Sequence, residues 1–136
     1  HSIKESVPVG DYRIPLGVAK VKRPGTDITL ITYGLYVSKC LEAAKQLEEE
    51  GIDCEVLDLR TLMPLDYHRM LDSVKKTGRA LVVHLATEFC GLGSEIAATL
   101  NEELFATLKA PASRLGAEYL PIAFSRDIET AQLPGV

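Results

Sequence analysis

The chain is short of the residue groupings that build a self-contained reaction centre. It has only three histidines, at positions 1, 68 and 84, and no spacing among them suits a metal ion. Its three cysteines, Cys40, Cys54 and Cys90, are odd in number, and no two stand at metal-ligand or redox-motif spacing. That usage excludes a disulfide framework and fits a reducing compartment. No apolar run approaches the ~20 residues that cross a bilayer, and no secretory leader is visible, so neither a membrane partner nor secretion is expected. Fifteen basic against nineteen acidic side chains leave a net charge of −4. The one short basic stretch, Lys20-Val21-Lys22-Arg23, reads as a solvated edge strand, and nucleic acid is not an expected partner. Carboxylate pairs, internal repeats and low-complexity linkers are also missing.

What is present suffices for one domain. The 136 residues are 46% hydrophobic and 25% charged, and a chain of this size can bury roughly 65–70% of its unfolded surface. Val7 to Leu16, with Pro8, Gly10 and Pro15, reads as an extended lead-in. Val18 to Lys22 alternates as an edge strand, its lysines opposing edge-to-edge pairing. The β-branched run Asp27–Tyr33 is a strand ending at Gly34. Val37, Cys40, Leu41, Ala44 and Leu47 then mark one face of a helix closed by Gly51, with Glu48-Glu49-Glu50 as its solvated end. Cys54–Leu59 is the next strand. Asp66 caps a helix buried through Met70, Leu71 and Val74. Ala80–His84 is a strand apolar enough to be covered on both faces. Gly91-Leu92-Gly93-Ser94 opens a helix with Ile96, Ala97, Leu100 and Leu104 on one side. A short strand, Ala112–Leu115, and a helix capped by Ser125 and running through Leu133 complete the pattern.

Strands alternating with helices predict an α/β fold: a three-layer α/β/α sandwich around a mostly parallel five-stranded sheet with one antiparallel edge strand. In such sheets function gathers at the carboxyl ends of the strands, here Tyr33-Gly34, Asp58-Leu59-Arg60, His84-Leu85-Ala86 and Leu115-Gly116. Gly91-Leu92-Gly93-Ser94-Glu95-Ile96 begins like a dinucleotide fingerprint, but Ile96 stands where the third glycine belongs; the alternatives are a tight turn with close helix–sheet approach, or an anion at the helix N-terminus. Cys90, just before that helix, has the position of an activated thiol. It lacks the flanking glycines of an amidotransferase elbow, and no histidine follows it. His84 is either a hydrogen-bonded structural or interface group, or an acid–base residue. His68 reads as exposed. Arg60 suits a bidentate bond to a carboxylate, from another domain or from within.

Four segments in this order carry a resemblance: Val7-Pro8-Val9-Gly10-Asp11-Tyr12-Arg13-Ile14-Pro15-Leu16-Gly17, Gly25–Gly34, Asp58-Leu59-Arg60-Thr61-Leu62-Met63-Pro64-Leu65-Asp66, and Gly91–Ile96. Together they resemble the C-terminal third of the beta subunits of thiamine-diphosphate-dependent 2-oxo acid dehydrogenases, the pyruvate, branched-chain and acetoin enzymes. The Asp-Leu-Arg-Thr-Leu-x-Pro-x-Asp stretch is the most specific element. The resemblance implies a transketolase C-terminal-like domain over residues 17–136, preceded by a lead-in, residues 1–16, from a domain absent here. It implies a parent enzyme that uses thiamine diphosphate and Mg2+, held by the alpha subunit and by the beta subunit's other domain, with none bound by this domain alone. The implied partners are the alpha subunit, a second beta subunit and the subunit-binding domain of the acyltransferase. The implied location is a bacterial cytoplasm or a mitochondrial matrix. No catalytic, cofactor-binding or metal residues are assigned; Arg60, His84, Leu85 and Glu95 are the candidate interface residues.

The sequence departs from the family pattern in three places. The usual His-Glu-Ala is His84-Leu85-Ala86, Thr-Gly-Gly is Phe89-Cys90-Gly91, and Thr-Gly-Pro-Asp-Thr-Pro is Gly116-Ala117-Glu118-Tyr119-Leu120-Pro121. Family members also run on into a further helix, so a truncation or a shorter tail is expected at Val136. Two other readings remain: the same domain of a transketolase or deoxyxylulose-phosphate synthase, and a stand-alone Cys90 thiol hydrolase or sensor.

Overall fold

A computed structural model describes residues 6–135; the first five residues of the lead-in lie outside them. The elements run β1 (Lys20–Arg23), β2 (Ile28–Thr32), α1 (Tyr36–Glu49), β3 (Cys54–Asp58), α2 (Tyr67–Thr77), β4 (Ala80–Thr87), α3 (Leu92–Glu103), β5 (Ser113–Ala117) and α4 (Arg126–Gln132). The five strands form one sheet in the order β1-β3-β2-β4-β5. β2 pairs in parallel with β3 and β4, and β4 in parallel with β5, while β1 is antiparallel to β3. This is the expected sandwich. Among the described residues no helix is long and apolar enough to cross a membrane.

The period-two side-chain alternation of each strand divides the core. Ile31, Leu57 and Val82 face α2 and α3 and pack with Met70, Val74, Ile96 and Leu100. Leu30, Val56 and Val83 face α1 and pack with Tyr36, Cys40 and Ala44. Tyr36 belongs to the buried face of α1; its hydroxyl donates to the Pro134 carbonyl at 2.9 Å and ties the C-terminal segment to α1. Leu71 is only half-buried, and the polar Ser73 and Thr77 take the remaining inward positions of α2. They meet a buried polar belt that hydropathy does not reveal. Glu55 on β3, 1% exposed, accepts from Ser73 Oγ and from Lys76 Nζ, and Thr29 Oγ1 lies 2.9 Å from Thr77 Oγ1. A carboxylate this deep is tolerable only when paired and hydrogen-bonded.

Three element boundaries move by two residues or more. The edge strand begins at Lys20, two residues late. β4 does not end at His84 but continues to Thr87, because pairing with β5 resumes as Thr87 opposite Ala117 after an irregularity. β5 accordingly extends to Ala117. Ser125 does occupy the N-cap position of α4, but its side chain makes no capping bond; only its carbonyl is used, accepting from Glu129 N–H at 2.9 Å.

Candidate functional site

Two corners lie at the carboxyl end of the parallel strands. The first joins β3 to α2 and contains Asp58 to Asp66. Arg60 is held at a φ of +60°, a left-handed conformation that costs energy for a residue with a side chain. Its N–H donates to Asp58 Oδ1 at 3.0 Å. Thr61 Oγ1 accepts from Gly17 N–H at 2.8 Å. Asp66 uses both oxygens: Oδ1 accepts from Arg69 N–H at 3.1 Å, capping α2, and Oδ2 accepts from Ala19 N–H at 2.9 Å. Gly17 has a φ of +71°, and a Cβ there would lie 2.9 Å from Pro64 Cγ. Two segments of the family resemblance thus grip each other. The helix cap was legible from spacing; the hold of Thr61 and Asp66 on Gly17 and Ala19 was not, since the residues stand more than 40 positions apart. The Arg60 guanidinium makes no hydrogen bond or ion pair among the described residues. It lines an open cleft of about 480 Å³ with Lys22, Asp58 and Leu16.

At the second corner β4 turns into α3. The His84 side chain is fully buried and stacks on Tyr33 at a centroid separation of 6.2 Å. Nδ1 lies 3.0 Å from the Ala86 carbonyl. A carbonyl only accepts, so in the neutral ring Nδ1 carries the proton and Nε2 is a bare acceptor. Nε2 is enclosed and has no partner among the described residues. The two glycines of the incomplete fingerprint are the reason the ring fits: a Cβ on Gly93 would stand 2.1 Å from His84 Nε2, and one on Gly91 would stand 2.9 Å from Cε1. The tight-turn reading therefore stands, with an imidazole filling the space. Burial pushes the His84 pKa below its ordinary value. An enclosed ring cannot serve Cys90 as a base, and among the described residues Cys90 has no other histidine within its loop. Burial holds the other two thiols protonated, pushing Cys40 up to about 11 and raising Cys54.

Beyond His84 the surface becomes apolar. Leu85 is 46% exposed and lines a groove of about 200 Å³ with Thr87, Glu118, Leu120, Ile122 and Leu133. Phe89 meets Tyr119 edge-on at 4.8 Å. All three departures from the family pattern therefore converge on one edge. Tyr119, Leu120, Ile122, Phe124 and Ile128 are exposed, and α4 buries no residue. Glu95 sits in the first turn of α3, exposed and without an ion pair among the described residues, where a carboxylate complements the helix dipole. His68 is exposed, as read from the sequence. The structure thus groups His84, Leu85 and Glu95 around one corner and leaves Arg60 at the other.

The described residues offer Mg2+ no grouped set of ligands. No three His, Cys, Asp or Glu side chains among them are grouped to hold a metal ion. The open cleft beside Arg60 has no acidic set to hold Mg2+, and the groove beside Leu85 is smaller than the roughly 300 Å³ at which organic-ligand pockets begin.

Known proteins agree with this architecture. The chain is 40% identical over 134 residues to the acetoin:2,6-dichlorophenolindophenol oxidoreductase subunit beta of Cupriavidus necator, covering 98% of this chain and 40% of that protein. It is 44% identical over 133 residues to the pyruvate dehydrogenase E1 component subunit beta of Bacillus subtilis, covering 98% and 41%. The chain thus spans about two fifths of the length of these relatives. Among solved structures, a split gene transketolase described as an inactive beta4 tetramer superposes with a TM-score of 0.75 at 29% identity, over 94% of this chain and 40% of that one. The transketolase C-terminal domain profile matches residues 17–136, and the chain belongs to that family.

Proposed function

We propose that this domain is an assembly and interface module of the decarboxylating component of a thiamine-diphosphate-dependent 2-oxo acid dehydrogenase. The parent would decarboxylate a 2-oxo acid and pass the acyl group to a lipoyl arm; this domain would grip its neighbours. The observation that carries the reading is the apolar edge from Leu85 to Ile128, set on a domain whose described residues gather no catalytic cluster. Exposed apolar side chains that are contiguous mark contact surfaces, whereas isolated ones do not. The seven-residue α4 buries no residue of its own, so its apolar side chains are left for a neighbour to cover. The partners we assign are a second beta chain, the alpha subunit and the subunit-binding domain of the acyltransferase, in a bacterial cytoplasm or a mitochondrial matrix. The free Arg60 fork is suited to a carboxylate from one of them.

The first test is turnover. The purified chain, supplied with pyruvate or a branched 2-oxo acid, thiamine diphosphate and Mg2+, is expected to show none; measurable decarboxylation overturns the reading. The second is sedimentation, where self-association of the chain is expected at micromolar concentration. A transketolase parent is the other reading, favoured by the split gene likeness at 29% identity. The dehydrogenase relatives at 40% and 44% support the first more strongly.

A further inference from the structure

We propose that His84 is an acid-sensitive latch that holds the β4–α3 corner closed beneath the apolar edge. The latch itself rests on the geometry of the corner; its effect on docking rests on the assembly reading above.

The His84 ring is sealed between Tyr33, the residue after β2, and the start of α3, where Gly91 and Gly93 close over it. Its one hydrogen bond uses the Nδ1 proton. Protonating Nε2 would place an N–H in a wall with no acceptor, at the helix end where the macrodipole is already positive. The charged groups near the ring do not relieve this. Glu88, in the loop after β4, favours the charged ring; Arg114 of β5 opposes it, and burial opposes it most. Glu95, the acidic residue in the first turn of α3, makes no bond to the ring. The closed corner therefore excludes the second proton, and only an open corner accepts it.

The sign follows from linkage. The closed-state pKa lies below the ordinary histidine value of about 6.5, so the latch is fully effective above that pH and weakens as pH falls below it. Within that window the open fraction rises about tenfold per pH unit. What opens carries Leu85 and Phe89 with it, because Leu85 follows His84 directly and Phe89 stands in the β4–α3 loop, where it packs on Tyr119.

The test is native-state hydrogen exchange on the 136-residue chain between pH 7.5 and 5.5, corrected for intrinsic chemical rates. Amides of residues 85–95 are expected to lose protection steeply below about pH 6.5, while residues 58–69 at the other corner do not. In His84→Gln the pH dependence should vanish. A profile without pH dependence in the parent chain, or the same dependence in His84→Gln, overturns the latch. Should His84→Gln fail to fold, imidazole nitrogen chemical shifts of the parent chain decide: a ring that stays in the neutral Nδ1–H form at pH 6 supports it, and a midpoint at or above 6.5 overturns it. Sedimentation at the same pH values separates the two readings. A chain that opens at this corner yet stays monomeric throughout keeps the latch and overturns the assembly reading.

Discussion

The β3–α2 corner and the β4–α3 corner sit at the same end of one sheet and solve the same problem differently. Both are strand-to-helix turns with backbone groups to satisfy. At the first, Thr61 and Asp66 recruit Gly17 and Ala19 at the start of the domain, so the corner is closed by local sequence and one intramolecular strap. At the second, Gly91 and Gly93 admit a buried imidazole that satisfies one nitrogen and strands the other. Just outside it, Leu85, Phe89 and Tyr119 stay exposed. The lesson concerns where stability resides. The backbone groups of the first corner are satisfied within the chain and only its Arg60 side chain is left over, whereas the second is tightly packed inside and apolar outside.

The contrast can be broken most forcefully at Gly93. Gly93→Ala puts a methyl group 2.1 Å from a ring with no free space to move into, and a loss of about 3 kcal/mol in urea denaturation is expected. His84→Ala in the same chain removes the opposing ring, so the double variant should fall short of the sum of the two losses; strict additivity would show that the ring and the glycine do not meet. At the first corner Asp66→Ala removes a helix cap and the bond from Ala19 N–H together, and about 2 kcal/mol should be lost. Thr61→Val removes only the bond from Gly17 N–H, for about 1 kcal/mol, with faster exchange at the Gly17 amide. The smallest effect on stability belongs to the apolar edge. Ile122→Ser and Phe124→Ser should stay within about 0.5 kcal/mol of the parent chain while weakening self-association by sedimentation. Phe105→Ser, at an exposed phenylalanine past the C-terminus of α3, should change neither. A destabilisation at Phe124 as large as at Asp66 would erase the contrast.

Much of this was legible in residue order. Alternation marked the strands, and the three- and four-residue recurrence of Met70 and Val74, or of Ile96, Ala97 and Leu100, marked the buried helix faces. Asp66 and Gly78 delimited α2 because a capping carboxylate and a left-handed residue are local requirements. His84 was readable as buried but not as enclosed, because the enclosing glycines come from the next element. Glu55 gave no signal at all: an isolated acidic residue in a strand looks solvated until Ser73 and Lys76 arrive from a helix one turn of chain away in space and about twenty residues away in sequence.

Residue order by itself determined the elements and the layer arrangement, because helix and strand periodicity and capping act over a few neighbours, and four of its segments carried the family resemblance. The tertiary structure alone decided which of two similar corners the chain closes for itself, and that three scattered departures from the family pattern form one apolar edge. Those outcomes depend on contacts between distant segments, whose geometry exists only once the sheet has brought β4 and β5 side by side.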